Sequence, residues 1–222
     1  MTAGEVSEQS KHETHGQEPP LAAPGTRIEY CPWEDQESLG LLQALIRTLK
    51  ESMLSPTAFF KKMPLNAGFL LPLLFAVIVE TTGSMAAYLW SMTVGGNVLS
   101  EFAGRNAVWF ALLIPLLVFL GIFIWGVLLH VSLFLVGGAK EDFEATFRVV
   151  CYTSGPELLG IIPVFGGIAS LVWKLCITVV GVREVHGISN ARAIAALVLP
   201  GILCCGLGLV GIVSVNLLTG AP

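Results

Sequence analysis

Four ionisable residues stand in stretches otherwise suited to lipid: Glu80, His130, Glu157 and Lys174. Left charged and unpaired in hydrocarbon, each costs about 3 kcal/mol on insertion scales, so each needs a partner, a change of protonation or water. A glutamate and a lysine at one depth make an ion pair. Set in a small polar cavity, the same two groups can bind and pass an ion or solute. A histidine at that depth either satisfies a packing hydrogen bond or relays a proton. Catalysis asks for other arrangements. The chain has no P-loop, no dinucleotide fingerprint, no G-x-S-x-G and no paired-cysteine metal spacing, and no Ser–His or Asp–Asp arrangement falls at one depth. Neither enzymatic activity nor a cofactor is expected. His12-Glu13-Thr14-His15 is not H-E-x-x-H, and no metal site is expected there.

Depth can be counted from basic residues. Lys174 lies nine residues before Arg183, close to the middle of the apolar run Val164–Val182, and Glu157 lies nine residues beyond Arg148. At 1.5 Å per residue both stand about 13 Å in, near the bilayer middle. Consecutive antiparallel helices joined by a short turn are neighbours, so the count predicts a buried Glu157–Lys174 pair. Gly155-Pro156 stands just before Glu157 and removes a backbone donor. Such an interruption beside an acid occurs at transporter binding sites and equally at a plain kink with one satisfied ion pair. Glu80 falls in the outer part of the first span with Thr81, Thr82 and Ser84 nearby, and a bundle partner or protonation would satisfy it. His130 falls toward the inner end of the second span.

These groups must be held by a membrane bundle. Of 222 residues, 54% are hydrophobic and 13% charged, against about 25% charged in globular domains. Net charge is −4, but residues 1–38 carry eight acids against Lys11 and Arg27, a balance of −6, which leaves the remainder at +2. No nucleic-acid partner is expected. Phe69–Trp90, Val108–Val136, Val164–Val182 and Ala193–Leu217 read as spans. The second, at 29 residues, is about 43 Å of helix, so it tilts, kinks near Pro115 or protrudes.

Phe147–Pro163 is short and weakly apolar, and the charges decide its fate. Arg47, Lys50, Lys61 and Lys62 precede the first span, Lys140 and Arg148 fall in 137–150, and Arg183 and Arg192 fall in 183–192. The loop 91–107 holds only Arg105, and the turn 160–167 holds no basic residue. Placing every basic loop on the cytoplasmic side requires two crossings between Arg148 and Arg183, so the short segment spans. The expected fold is all-α, a polytopic bundle of five transmembrane helices with a cytoplasmic N-terminus and an outer C-terminus. Trp90 and Trp109 bracket an outer loop as interfacial anchors.

Ahead of the spans, Leu42, Leu45, Ile46, Leu49 and Met53 recur at helical spacing over Ser38–Leu54, with Arg47, Lys50 and Glu51 on the polar face. Pro56 ends the pattern and Phe59-Phe60-Lys61-Lys62 follows. This predicts an amphipathic helix lying in the cytoplasmic interface or packed on the inner end of the bundle. Residues 1–30, rich in Glu, Gln, Pro, Gly and Ser, are expected to be a disordered acidic tail. Residues 31–62 hold the interfacial helix and linker, and residues 63–218 the transmembrane domain. Besides the bilayer, the expected partner is a cytoplasmic protein engaged through residues 1–54. Gly83 with Ala87, Gly166 with Ser170, and Gly206, Gly208 and Gly211 allow close helix approach within the bundle or between copies in a homo-oligomer. Cys31, Cys151, Cys176, Cys204 and Cys205 show no disulfide pattern.

The run Asp142-Phe143-Glu144-Ala145-Thr146-Phe147-Arg148-Val149-Val150-Cys151-Tyr152, then Pro156-Glu157-Leu158-Leu159 and Ile162-Pro163, then Val172-Trp173 through Val182-Arg183-Glu184-Val185-His186-Gly187-Ile188-Ser189, resembles the core of the Yip family. Pro32-Trp33-Glu34 and Pro56-Thr57-Ala58-Phe59-Phe60 are similar to its prokaryotic branch. The resemblance covers roughly residues 31–205. It implies a five-span membrane protein with a cytoplasmic N-terminus, from a family named for interacting with Ypt/Rab GTPases and active in vesicle trafficking and membrane shape. The acidic–aromatic D-L-Y-G-P-type motif of eukaryotic members has no counterpart before the first span, so GTPase binding is not carried over. The implied role is a membrane-organising or partner-recruiting scaffold in a bacterial inner membrane. The other role the polar residues suit is a small-solute or ion transporter using Glu157 and Lys174.

Overall fold

A computed structural model describes residues 31–94, 107–163 and 165–202. Residues 1–30 with the His12–His15 stretch, the loop bearing Arg105, and the end of the last expected span with its glycines and Cys204 and Cys205 lie outside them. All regular elements among the described residues are helical. A 3-10 turn, Pro32–Glu34, leads into α1 (Gln36–Leu39), α2 (Leu41–Leu54) and α3 (Pro56–Lys62). Then come α4 (Leu70–Val94), α5 (Ala107–Leu135), α6 (Phe143–Tyr152), a 3-10 helix over Gly155–Ile161, and α7 (Gly166–His186). A last described helix, α8, runs Asn190–Ile202.

Two of these are long and apolar enough to cross a membrane, over Leu70–Thr93 and Ala111–Leu135. α5 runs its 29 residues without a break through Pro115. It presents Leu112, Leu116, Leu120, Ile124 and Val131 outward, the apolar exterior that lipid favours.

The third expected span differs from expectation. Phe147–Pro163 is not one continuous helix: α6 stops at Tyr152, and a separate 3-10 helix starts at Gly155-Pro156. Pro156 has no N–H to continue an α-helical ladder. Instead Thr153 Oγ1 donates to the Val150 carbonyl at 2.9 Å, and the Glu157 N–H donates to the Ser154 carbonyl at 3.0 Å. Every residue from Ala145 to Pro156 is buried. α6 packs on α4, α5 and α7, and the 3-10 helix packs on α4 and α7. A segment enclosed by protein on all sides needs no lipophilic face, which is why its hydropathy is weak.

Arg148 also differs from its expected role. It is not a loop charge marking the inner surface but a fully buried side chain within α6. The depth count that started from it therefore loses its origin.

α2 packs on the bundle through Ala44, Thr48 and Ser52, small residues one turn apart that let the helix lie close. Of the five-residue apolar stripe, Leu45, Leu49 and Met53 pack partly against the core, whereas Leu42 and Ile46 stay 69% and 54% exposed beside Leu41 and Leu54. The stripe is split between bundle and exterior. α7 ends at Gly187, whose φ of 57° is the left-handed cap that lets the Ile188 N–H reach back to the Arg183 carbonyl at 3.2 Å.

Candidate functional site

Three of the four ionisable residues converge where α4, α7 and the 3-10 helix meet. Lys174, at mid-length in α7, sends its Nζ to Glu80 Oε1 at 2.6 Å. The same nitrogen lies 3.8 Å from Glu157 Oε2. Ser154 Oγ donates to Glu80 Oε1 at 2.8 Å, and Ser170 Oγ donates to Glu157 Oε2 at 3.1 Å. The nearer partner of the lysine is thus Glu80, the tenth residue beyond Leu70 on α4 and about 15 Å along it, a mid-helix depth rather than the outer part. A residue count along α4 of the kind that places Lys174 nine residues before Arg183 reaches the same mid-helix position for Glu80.

The backbone makes this convergence possible. Gly83, one turn beyond Glu80, rests against the backbone carbonyl of Glu157, where any Cβ would collide. Gly160 sits opposite Gly83 in turn, and Trp90 Nε1 donates to the Ile161 carbonyl at 2.8 Å. Gly166 gives α7 the same close approach to the Leu159 carbonyl. Two carboxylates therefore surround one ammonium. Glu80 is the more enclosed, with 14% of its side chain exposed against 31% for Glu157.

His130 belongs to a different cluster. Its Nδ1 lies 2.8 Å from Thr146 Oγ1, and the same hydroxyl lies 3.0 Å from His186 Nε2. The Lys140 and Glu141 backbone N–H groups both donate to His186 Nδ1, at 3.3 and 3.2 Å. That nitrogen must be bare, so the imidazole proton sits on Nε2 and is donated to Thr146, whose own hydroxyl donates to His130 Nδ1. His186, beyond the apolar part of α7, has its pKa lowered to about 4, first by burial and then by His130. The arrangement joins α5, α6 and α7 to the turn at 136–142.

The third cluster is one that sequence reasoning missed. Arg148 is wholly buried; its Nη1 donates to the Gly68 carbonyl at 2.8 Å and its Nη2 to Glu34 Oε1. Tyr152 OH donates to the same carboxylate oxygen at 2.6 Å. One turn earlier on α6, Glu144 Oε1 accepts the Gly68 N–H at 2.6 Å, so α6 grips both polar groups of that glycine. Trp33 Nε1 donates to the Leu71 carbonyl at 2.6 Å, and its ring meets Phe75 edge-on at 5.8 Å. Cys31 is buried beside Thr48, with its thiol pushed up to about 12 chiefly by burial, so it packs as a small hydrophobe. The available signal was an arginine four residues after Glu144 in an otherwise apolar run, with an aromatic–acid pair upstream.

Among the described residues no group of three or more His, Cys, Asp or Glu is placed to hold a metal ion. The family model of the Yip1 domain matches residues 50–212. No curated protein and no solved structure matches the chain.

Proposed function

This chain belongs to the Yip1 domain family, and on that footing we propose that it is a non-enzymatic membrane-organising scaffold that recruits a partner at the cytoplasmic face of a bacterial inner membrane. The supporting observation is the setting of α2. The helix is fastened to the bundle by Ala44, Thr48 and Ser52, yet it turns Leu41, Leu42, Ile46 and Leu54 outward. Arg47, Lys50, Lys61 and Lys62 are exposed around that face. An apolar strip edged by cations suits the boundary between acyl chains and anionic headgroups.

Five crossings and a cytoplasmic N-terminus are part of this proposal. The ten residues of α6 and the seven of the 3-10 helix rise together by about 29 Å, roughly one hydrocarbon thickness, so a broken third span has sufficient length.

A fluorophore on Ile46→Cys in vesicles containing brominated lipids tests the setting of α2. Quenching by shallow bromines is expected; an unquenched label on the folded protein overturns it. Recruitment is tested by deleting residues 1–30 and measuring partner capture. Deleting residues 1–54 would be uninformative, because it strips Glu34 from Arg148 and removes α2 from the core.

A second reading, ion or small-solute transport, is favoured by the count of charges: Glu80 and Glu157 share one lysine, and Glu157 is the more open of the two. Flux through liposomes that disappears with Glu157→Gln would support transport over the scaffold.

A further inference from the structure

Residues 31–35 sit in the bundle as a bound peptide would. Trp33 is buried, donates to the Leu71 carbonyl and packs against Phe75. Glu34 meets the Arg148 guanidinium and the Tyr152 hydroxyl. The fit is incomplete. Glu34 receives both donors on one carboxylate oxygen, Oε1. Arg148 Nε is buried with no hydrogen-bond partner. A guanidinium is shaped to engage a carboxylate through two parallel N–H donors, and a buried donor left unmade is costly. The receptor therefore has more binding capacity than its occupant uses.

The occupant is also held by a short tether. Gly40, with φ of 77° and open space around it, separates α1 from α2. On its N-terminal side α1 buries no residue. Rotation there withdraws residues 31–39, giving up the packing of their turn on α2, where Cys31 lies against Thr48.

We propose that Arg148 and Tyr152, with the Leu71 carbonyl and Phe75, form a receptor for a peptide carrying an aromatic side chain next to a carboxylate, and that Trp33-Glu34 closes it in cis. The ligand is an acidic–aromatic segment of a partner protein, which takes the guanidinium through both carboxylate oxygens and releases the chain's own arm. This site lies on the buried side of α2, away from the exposed strip of Leu42 and Ile46, and peptide binding is read directly, so it can fail or hold independently of the scaffold role.

The test uses the full chain in nanodiscs and a fluorescein-labelled peptide copying residues 31–39. The Trp33→Ala/Glu34→Gln variant, with its arm disabled, should bind this peptide at least about tenfold more tightly than the wild type, whose arm competes. A peptide with the Glu34→Gln change should lose about tenfold or more on that variant. Equal binding of the two peptides, or no saturable binding to a variant that elutes and melts as a folded protein, overturns the proposal. If the variant does not fold, a protease site placed after Gly40 in the otherwise wild-type chain serves instead. After cleavage, excess glutamate peptide should displace residues 1–40 and the glutamine peptide should not. Displacement by both or by neither overturns it.

Discussion

Lys174 has two carboxylates in reach but only one at hydrogen-bonding distance, and that difference is measurable. Lys174→Met leaves Glu80 enclosed without its cation and should cost about 2–4 kcal/mol, toward the lower side of the range for buried pairs because both groups keep some exposure. Adding Glu80→Gln should recover most of the loss, and adding Glu157→Gln distinctly less. Reversible unfolding in micelles of the two double variants reads this, and equal recovery would mean the lysine is shared evenly. His186 supplies a pH test. Its folded pKa of about 4 lies below the ordinary 6.5, so between those values the unfolded chain binds more protons. The stabilisation is complete above pH 6.5 and is lost as pH falls toward 4, by at most about 1.4 kcal/mol per pH unit from this one group. Melts from pH 7.5 to 4.5 should show a steeper decline for the wild type than for His186→Gln.

At the scale of elements, Gly83 against the Glu157 carbonyl is one of two backbone approaches among the described residues that leave no room for a Cβ, the other being Gly166 against the Leu159 carbonyl. Gly83→Ala should push α4 off the 3-10 helix and destabilise by about 1–3 kcal/mol, whereas Gly121→Ala, with open space around it, should be near neutral. Thermal unfolding of the two variants side by side checks the contrast. What the sequence made legible follows from the same geometry. α4 and α5 are long and carry exposed apolar side chains along their length, so their apolar runs announced them to within a few residues, and the cap at Gly187 closed α7 soon after its apolar stretch. The enclosed α6 was hard to read because hydropathy reports an exposed apolar face, and this helix has none. Its arginine was mistaken for a surface marker for the same reason: a fully buried cation looks like a loop cation until its partner is known. The partner, Glu34, stands 114 residues away, beyond the reach of any local pattern. The stripe on α2 was visible, but the burial of Thr48 and Ser52 in place of Leu42 and Ile46 was not, since periodicity fixes a face and leaves its orientation open.

For the molecule as a whole, the five-crossing reading makes one sharp demand. Cysteines placed at Lys140 and Asn190 should both be labelled by an impermeant reagent from the cytoplasmic side, and labelling from opposite sides would exclude a complete third crossing. The enclosure of α6 has a further consequence, for biogenesis. Glu34 is synthesised 114 residues before Arg148, so on the five-crossing reading the anion is made before the arginine that it meets. A helix with a buried arginine and no exposed apolar face is costly to leave in lipid alone, so on that reading α6 is expected to pack on α4 and α5 as it inserts. α7 follows in chain order and brings Lys174 to Glu80. On that reading, a chain begun downstream of Glu34 brings its guanidinium to the bundle without the carboxylate that meets it in this structure.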